Sequence, residues 1–213
     1  MLPEASARLK FELENEALQA VDRMVGHIVD ELRDSGRLGN TMLIFMSDNG
    51  VENGEHRWVY KLTPYEESIR VPLVVRYDPL TGSNAGAVAP GLVSNVDIAP
   101  TIADAVGIGF DGVGTVDGVS FVPMLTDATR SVRSSVLLEH LDYPGKYHVP
   151  TYCGLRTAEW TYVRYTAGVE ELYHLANDPY ELTNVAAVDT AELARLRRRT
   201  HALCDPLPPG YHW

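Results

Sequence analysis

Cysteine is scarce: 213 residues contain only Cys153 and Cys204, with no Cys-x-x-Cys pair and no histidine at ligand spacing. A disulfide-stapled scaffold and a structural zinc site are thereby excluded, while a single bridge between the two cysteines stays open. Positive charge is also in short supply. Eighteen Lys and Arg against 29 Asp and Glu give a net charge of −11, so there is no electrostatic footprint for nucleic acid or for an anionic membrane face. No stretch approaches the roughly 18 apolar residues of a membrane span. The opening MLPEASARLKFELENE shows neither a charged-then-apolar leader nor a small-residue cleavage site. No internal repeat or low-complexity tract is present either. What remains, 45% apolar and 22% charged residues, describes a globular chain long enough to bury one large core or two small ones.

Leu18, Val21, Val25, Ile28 and Leu32 step by three and four residues, which predicts an amphipathic helix ending near Asp34-Ser35-Gly36 and lying on something larger. His27 sits beside that stripe and reads as structural. Thr41–Met46 is a continuous apolar run, the pattern of a parallel strand covered on both faces in an α/β sheet. A second such run, Val71–Val75, follows a long polar and aromatic loop. Residues 78–91 read as a surface connection, and residues 97–107 as a short helix with Pro100 in its first turn and Gly107 at its end. From Val136 the segments become short and β-prone, with a hairpin-like turn at Thr166-Ala167-Gly168, before a basic helix from Ala191 to Cys204. These changes place a boundary near residue 133, between an α/β part and a smaller part of antiparallel sheet plus helix. The arginines of the last helix (Arg195, Arg197, Arg198, Arg199) are explained by solvation and by the helix dipole.

Asp48 and Asn49 close the first strand, at the sheet end where open α/β folds bind ligands. Their hard oxygens suit Ca²⁺ or Mg²⁺. Taken alone, Asp-Asn-Gly reads first as a tight turn. Lys61, 13 residues beyond Asp48, could serve as an oxyanion clamp or stand solvated in its loop.

The run NTMLIFMSDNGVENGEHRWVYKLTPYEESIRVPLVVRY (residues 40–77) strongly resembles the second signature region of the type I sulfatases, within the alkaline-phosphatase-like superfamily. Ser94–Thr101 is similar to the family's DIAPT helix, Asp117–Ser120 to its DG.S turn, and Leu155-Arg156-Thr157 with Glu170–Asn184 to its C-terminal subdomain. The resemblance runs in order from about residue 15 to 190. It implies an α/β fold: the C-terminal part of an alkaline-phosphatase-like mixed-sheet sandwich over residues 1–133, plus a small antiparallel sheet-and-helix subdomain over 134–213. It further implies that Asp48 and Asn49 are two ligands of one divalent cation, usually calcium, and that Lys61 contacts the sulfate oxygens. His56 in the same loop is a candidate substrate contact. So is His148, at the end of the loop Asp142–His148, which resembles a pocket-lining segment. Both histidines have a plainer reading as surface or supporting residues.

The family's nucleophile, a cysteine or serine in C/S-x-P-x-R that is oxidised to formylglycine, has no match here. Cys153-Gly154-Leu155-Arg156 lacks the proline, and Cys204-Asp205-Pro206-Leu207-Pro208 has Pro208 where arginine is required. The paired upstream aspartates and the upstream histidine are missing too. The expectation is therefore a C-terminal portion of a sulfate-ester hydrolase, completed by an N-terminal half and inactive and association-prone by itself, with an incomplete calcium ligand set. A module that binds a sulfated or anionic ligand without hydrolysis is an alternative. A phosphodiesterase or phosphonate hydrolase of the same superfamily is another. The substrate is expected to be an aryl or glycan sulfate. With no leader or span in the sequence, its location stays open.

Overall fold

A computed structural model describes residues 4–110, 114–142 and 148–213. A 31-residue helix, α1 (Glu4–Asp34), leads into strand β1 (Leu43–Met46). Then come a two-residue hairpin of β2 (Glu52–Asn53) and β3 (Val59–Tyr60), the short helix α2 (Glu66–Ile69) and β4 (Leu73–Arg76). Helices α3 (Asp78–Thr81), α4 (Ile98–Ala105) and α5 (Val122–Thr126) follow. The chain ends in β5 (Ser135–His140), β6 (Tyr152–Thr157), β7 (Trp160–Tyr165), β8 (Glu170–His174) and α6 (Thr190–Leu203).

Two expectations are corrected. β1 is neither parallel nor covered on both faces: it pairs antiparallel with β4, Ile44 opposite Val75 and Phe45 opposite Val74. In this two-stranded unit the alternating side chains cover only one face, and Phe45 and Val74 stand 40% and 61% exposed on the other. A continuous apolar run has no period to reveal its partner's direction, which is why the sequence could not show it. Helix α1 keeps its predicted stripe and stop, with Gly36 left-handed at φ 69° just beyond its end. It extends N-terminal of that stripe to Glu4, and none of its residues is buried, so among the described residues it does not lie on something larger as expected. The surface connection likewise contains helical turns at residues 78–84.

The antiparallel part matches the expectation closely. β5–β6–β7–β8 form a meander in sequence order, and Gly168 turns the β7–β8 hairpin at φ 79°. One face of this sheet presents Leu155, Tyr162 and Leu172 to Leu193 and Leu196 of α6. Each fully buried leucine there contributes about 2–3 kcal/mol. The opposite face carries Leu138, Tyr152 and Val163, packed with Val149 against Trp58 and Ile69. The sheet is thus a partition, with α6 on one side and the Lys61 loop on the other. Cys153 and Cys204 are joined by a disulfide, Cα–Cα 6.4 Å, fastening β6 to the end of α6. The helix arginines, read from the sequence as solvated or dipole-complementing, make specific contacts instead: Arg195 pairs with Glu192, Arg197 with Glu170 of β8, and Arg199 donates to Ser135 Oγ.

Candidate functional site

Strand β1 ends at Met46, and the next residues turn sharply under a local hydrogen-bond network. Ser47 Oγ donates to the Asn49 carbonyl at 2.9 Å, and the Asn49 N–H donates to Asp48 Oδ1 at 2.9 Å. Gly50 N–H then donates to the Ser68 carbonyl at 2.9 Å, which locks the turn onto α2. Only glycine fits here, because a Cβ on residue 50 would stand 2.0 Å from the Glu67 carbonyl oxygen. The same Asp-Asn-Gly that reads as a turn therefore is one, and it also presents its side chains.

Lys61 reaches back across the hairpin and donates from Nζ to Asn49 Oδ1 at 2.9 Å. Its position is held from both sides. Trp58 Nε1 donates to the Lys61 carbonyl at 3.4 Å, and Tyr152 Oη donates to the Leu62 carbonyl at 3.1 Å. The backbone around it is strained: His56, Arg57, Tyr60 and Leu62 all have positive φ, between 50° and 116°. Non-glycine residues in that region cost about 1–3 kcal/mol each and persist only where the surroundings enforce them. Buried Glu52, which accepts a hydrogen bond from Thr63 Oγ1, ties the two arms of the hairpin together.

Asp48, Asn49 and Lys61, expected together from the sequence, thus stand together. His56 does not turn toward them. Its ring stacks on Tyr65 with centroids 3.8 Å apart, and its Nε2 lies 3.4 Å from Glu67 Oε2. His148, exposed, lies 3.4 Å from Asp142 Oδ1. Among the described residues no hydrogen bond or ion pair joins it to Lys61, and residues 143–147 of its loop fall outside them.

As a calcium site the donor chemistry fits in kind and falls short in number. Asp48 offers an exposed carboxylate and Asn49 an amide oxygen, both hard donors, whereas calcium takes six to eight oxygens. Among the described residues, no group of three His, Cys, Asp or Glu side chains converges on Asp48.

Several supporting residues escaped the sequence reading. Glu66, inside the quoted Tyr65-Glu66-Glu67-Ser68, pairs with Arg156 of β6 at 2.6 Å. Its N–H donates to Glu181 Oε2 at 2.8 Å. Tyr65 Oη donates to Glu171 Oε2 at 3.2 Å. Burial pushes the Glu52 carboxyl up to about 7, against the pull of its Thr63 hydrogen bond, and does the same to Glu181. Polar residues at both ends of the resemblance were the available signal. Their pairing across 90 to 115 positions was not.

Comparison with known proteins adds a second line. The family model described as N-sulphoglucosamine sulphohydrolase, C-terminal, matches residues 54–203. The chain is 29% identical over 197 residues to an N-acetylglucosamine-6-O-sulfatase of Bacteroides thetaiotaomicron, covering 90% of this chain and 34% of that protein. Among solved structures, one in complex with its substrate D-glucosamine-2-N,6-O-disulfate superposes with a TM-score of 0.82 at 28% identity, covering 90% of this chain and 40% of the other. The phosphonate monoester hydrolase of Agrobacterium radiobacter gives 0.72 at 30% identity, with 86% and 38% covered. The chain spans about a third of the length of the curated relatives it matches.

Proposed function

Because the chain belongs to the N-sulphoglucosamine sulphohydrolase, C-terminal, family of sulfatases and shares their alkaline-phosphatase-like fold, we propose that it is the C-terminal portion of a sulfate-ester hydrolase. The observation that carries this reading is the meeting of Lys61 Nζ with Asn49 Oδ1 at 2.9 Å beside Asp48. A lysine held on a strained hairpin does not have to search for its position. Its ammonium is placed to meet negative charge as it develops on the oxygens of the transferred group, the type of preorganised contact that contributes most to such reactions. Asp48 and Asn49 would hold two oxygens' worth of a calcium ion, which when bound supplies Lewis-acid polarisation of the same sulfuryl oxygens. The remaining ligands and the nucleophile belong to a segment bearing C/S-x-P-x-R, a motif that residues 1–213 do not contain.

The ester is proposed to be a sulfated sugar, on the strength of the glucosamine disulfate bound by one structural neighbour. The phosphonate monoester hydrolase neighbour supports a second reading with the same machinery and another ester. Against it stands the donor pair: Asp48-Asn49 offers only oxygens and favours calcium, whereas an Asp-His pair would favour zinc and phosphate.

The test is to read the DNA upstream of Met1 in all three frames and to assay the completed protein beside residues 1–213. The shorter chain is expected to release no sulfate from an aryl sulfate or from glucosamine 6-sulfate. The completed protein is expected to do so, with Lys61→Ala lowering kcat/KM by about 100-fold or more. Unrelated upstream sequence, or turnover by residues 1–213 that survives Lys61→Ala, overturns the proposal. A preference for phosphonate monoesters moves it to the second reading.

A further inference from the structure

Behind the Lys61 hairpin, three acidic side chains are gathered with little countercharge. Glu52 and Glu181 are 0% and 1% exposed, and Glu67 is largely covered. One oxygen of Glu52 is taken by Thr63 and one of Glu181 by the Glu66 N–H. The others, Glu52 Oε2, Glu181 Oε1 and Glu67 Oε2, are buried without a hydrogen bond of standard geometry, although Thr161 Oγ1 stands close enough to Glu181 to ease its carboxyl downward. Arg156 of β6 is already committed to Glu66. Each of these carboxylates thus keeps one buried oxygen without a hydrogen bond, an unfavourable arrangement that a proton or a cation relieves.

The positions of the donors favour a cation. His56, Glu67 and Glu181 each bring one ligand atom, and the three atoms lie within 4.8 Å of one another. His56 Nε2 and Glu67 Oε2 are 3.4 Å apart, close to the separation of about 3.4 Å between neighbouring donors around a tetrahedral zinc ion. The imidazole is fixed by its stack on Tyr65. His56 and Glu181 also share an uncommon backbone: both are left-handed, at φ 50° and 51°. Strain held at two members of one cluster, more than 100 residues apart in sequence, marks a place where the side chains are aimed at some energetic cost.

We propose that His56, Glu67 and Glu181 form a binding site for a divalent transition ion of the zinc class, which fastens the Lys61 hairpin to the C-terminal sheet. One imidazole nitrogen and two carboxylate oxygens suit zinc better than calcium, and three protein ligands leave a fourth position for water. The site uses none of Asp48, Asn49 or Lys61, and it stands or falls independently of the reaction proposed above.

The experiment uses residues 1–213 prepared without a polyhistidine tag and stripped with a chelator. Zinc is titrated against a chromophoric competitor, and Tm is followed with and without the metal. The chain is expected to take up one equivalent, with a rise in Tm, and Asp48→Asn to behave identically. Glu181→Gln and His56→Asn are expected to lose more than about tenfold in affinity, together with the rise in Tm. Asparagine is chosen at position 56 because it tolerates the left-handed backbone, so this variant still decides the matter if Glu181→Gln fails to fold. Absence of stoichiometric uptake, uptake unchanged in the folded variants, or loss through Asp48→Asn instead each overturns the proposal.

Discussion

Arg133 and Asp97 offer a sharp test of how this chain is held together. Asp97 closes the turn before α4, is 0% exposed, and accepts hydrogen bonds from three directions. The Ser94 N–H donates at 2.8 Å, the Val119 N–H at 2.7 Å, and the Arg133 guanidinium completes the set. Replacing Arg133 with methionine keeps much of the packing volume but leaves a buried carboxylate with only two N–H partners. Removing one member of a buried pair costs about 3–5 kcal/mol. The two surviving charge-assisted bonds place the expected loss near the lower end, about 3 kcal/mol. For a chain of this length that lowers Tm by about 6–12 °C. Urea unfolding at pH 7 measures it, and Asp97→Asn with the double variant closes a cycle in which the coupling should be about 2 kcal/mol. A loss below about 1 kcal/mol in Arg133→Met, with an unchanged m-value, would show that the carboxylate is satisfied without its arginine and refute the reasoning.

Three further predictions follow from the same geometry. Because burial raises the folded-state carboxyl of Glu52 from 4.5 to about 7, folding takes up a proton there. Its stabilising contribution is complete below about pH 4.5 and is lost as pH rises through 7, so in chelator Glu52→Gln should flatten the fall in stability between pH 5 and 8, by on the order of 3 kcal/mol. An unchanged pH slope by chemical denaturation would contradict it. Gly50→Ala drives a Cβ to 2.0 Å from the Glu67 carbonyl oxygen, so it should displace the Asp48–Asn49 turn and destabilise far more than the roughly 1 kcal/mol typical of a point change. A wild-type Tm excludes that. Reducing the Cys153–Cys204 bridge, which closes a span of 51 residues, should cost about 2–4 kcal/mol, read as the shift in urea midpoint with and without reductant.

How much of this was legible in the sequence depended on the range of the interaction. The three-and-four stepping of Leu18 to Leu32, Pro100 with Gly107, and the β-prone segments after Val136 are local signals, and the corresponding elements stand where they point. Asp48, Asn49 and Lys61 lie within one short stretch whose resemblance to a family carries their roles as a set. The direction of β1 against β4 was not legible, because an apolar run pairs equally well either way. Glu66 with Arg156, and His56 with Glu67 and Glu181, were hidden for a different cause. The glutamates and Arg156 look like ordinary surface charges, and His56 like a substrate contact, until the fold brings their partners alongside. The disulfide lay between these cases: its cysteines were visible and their proximity was not.

The short helix α2 ties the Lys61 hairpin to a sheet that begins only at Ser135, 66 residues after the helix ends. Tyr65 and Glu66 anchor it to Glu171, Arg156 and Glu181, while Tyr152 holds the Leu62 carbonyl on the other flank. The posture of the hairpin is therefore inherited from the sheet. A chimera that exchanged residues 150–185 for those of a relative would exchange with them the angle at which Lys61 is offered, although no residue of the hairpin had changed. Divergence in that sheet is a way to retune the site from behind, and the natural unit of recombination in such proteins is the hairpin together with its sheet.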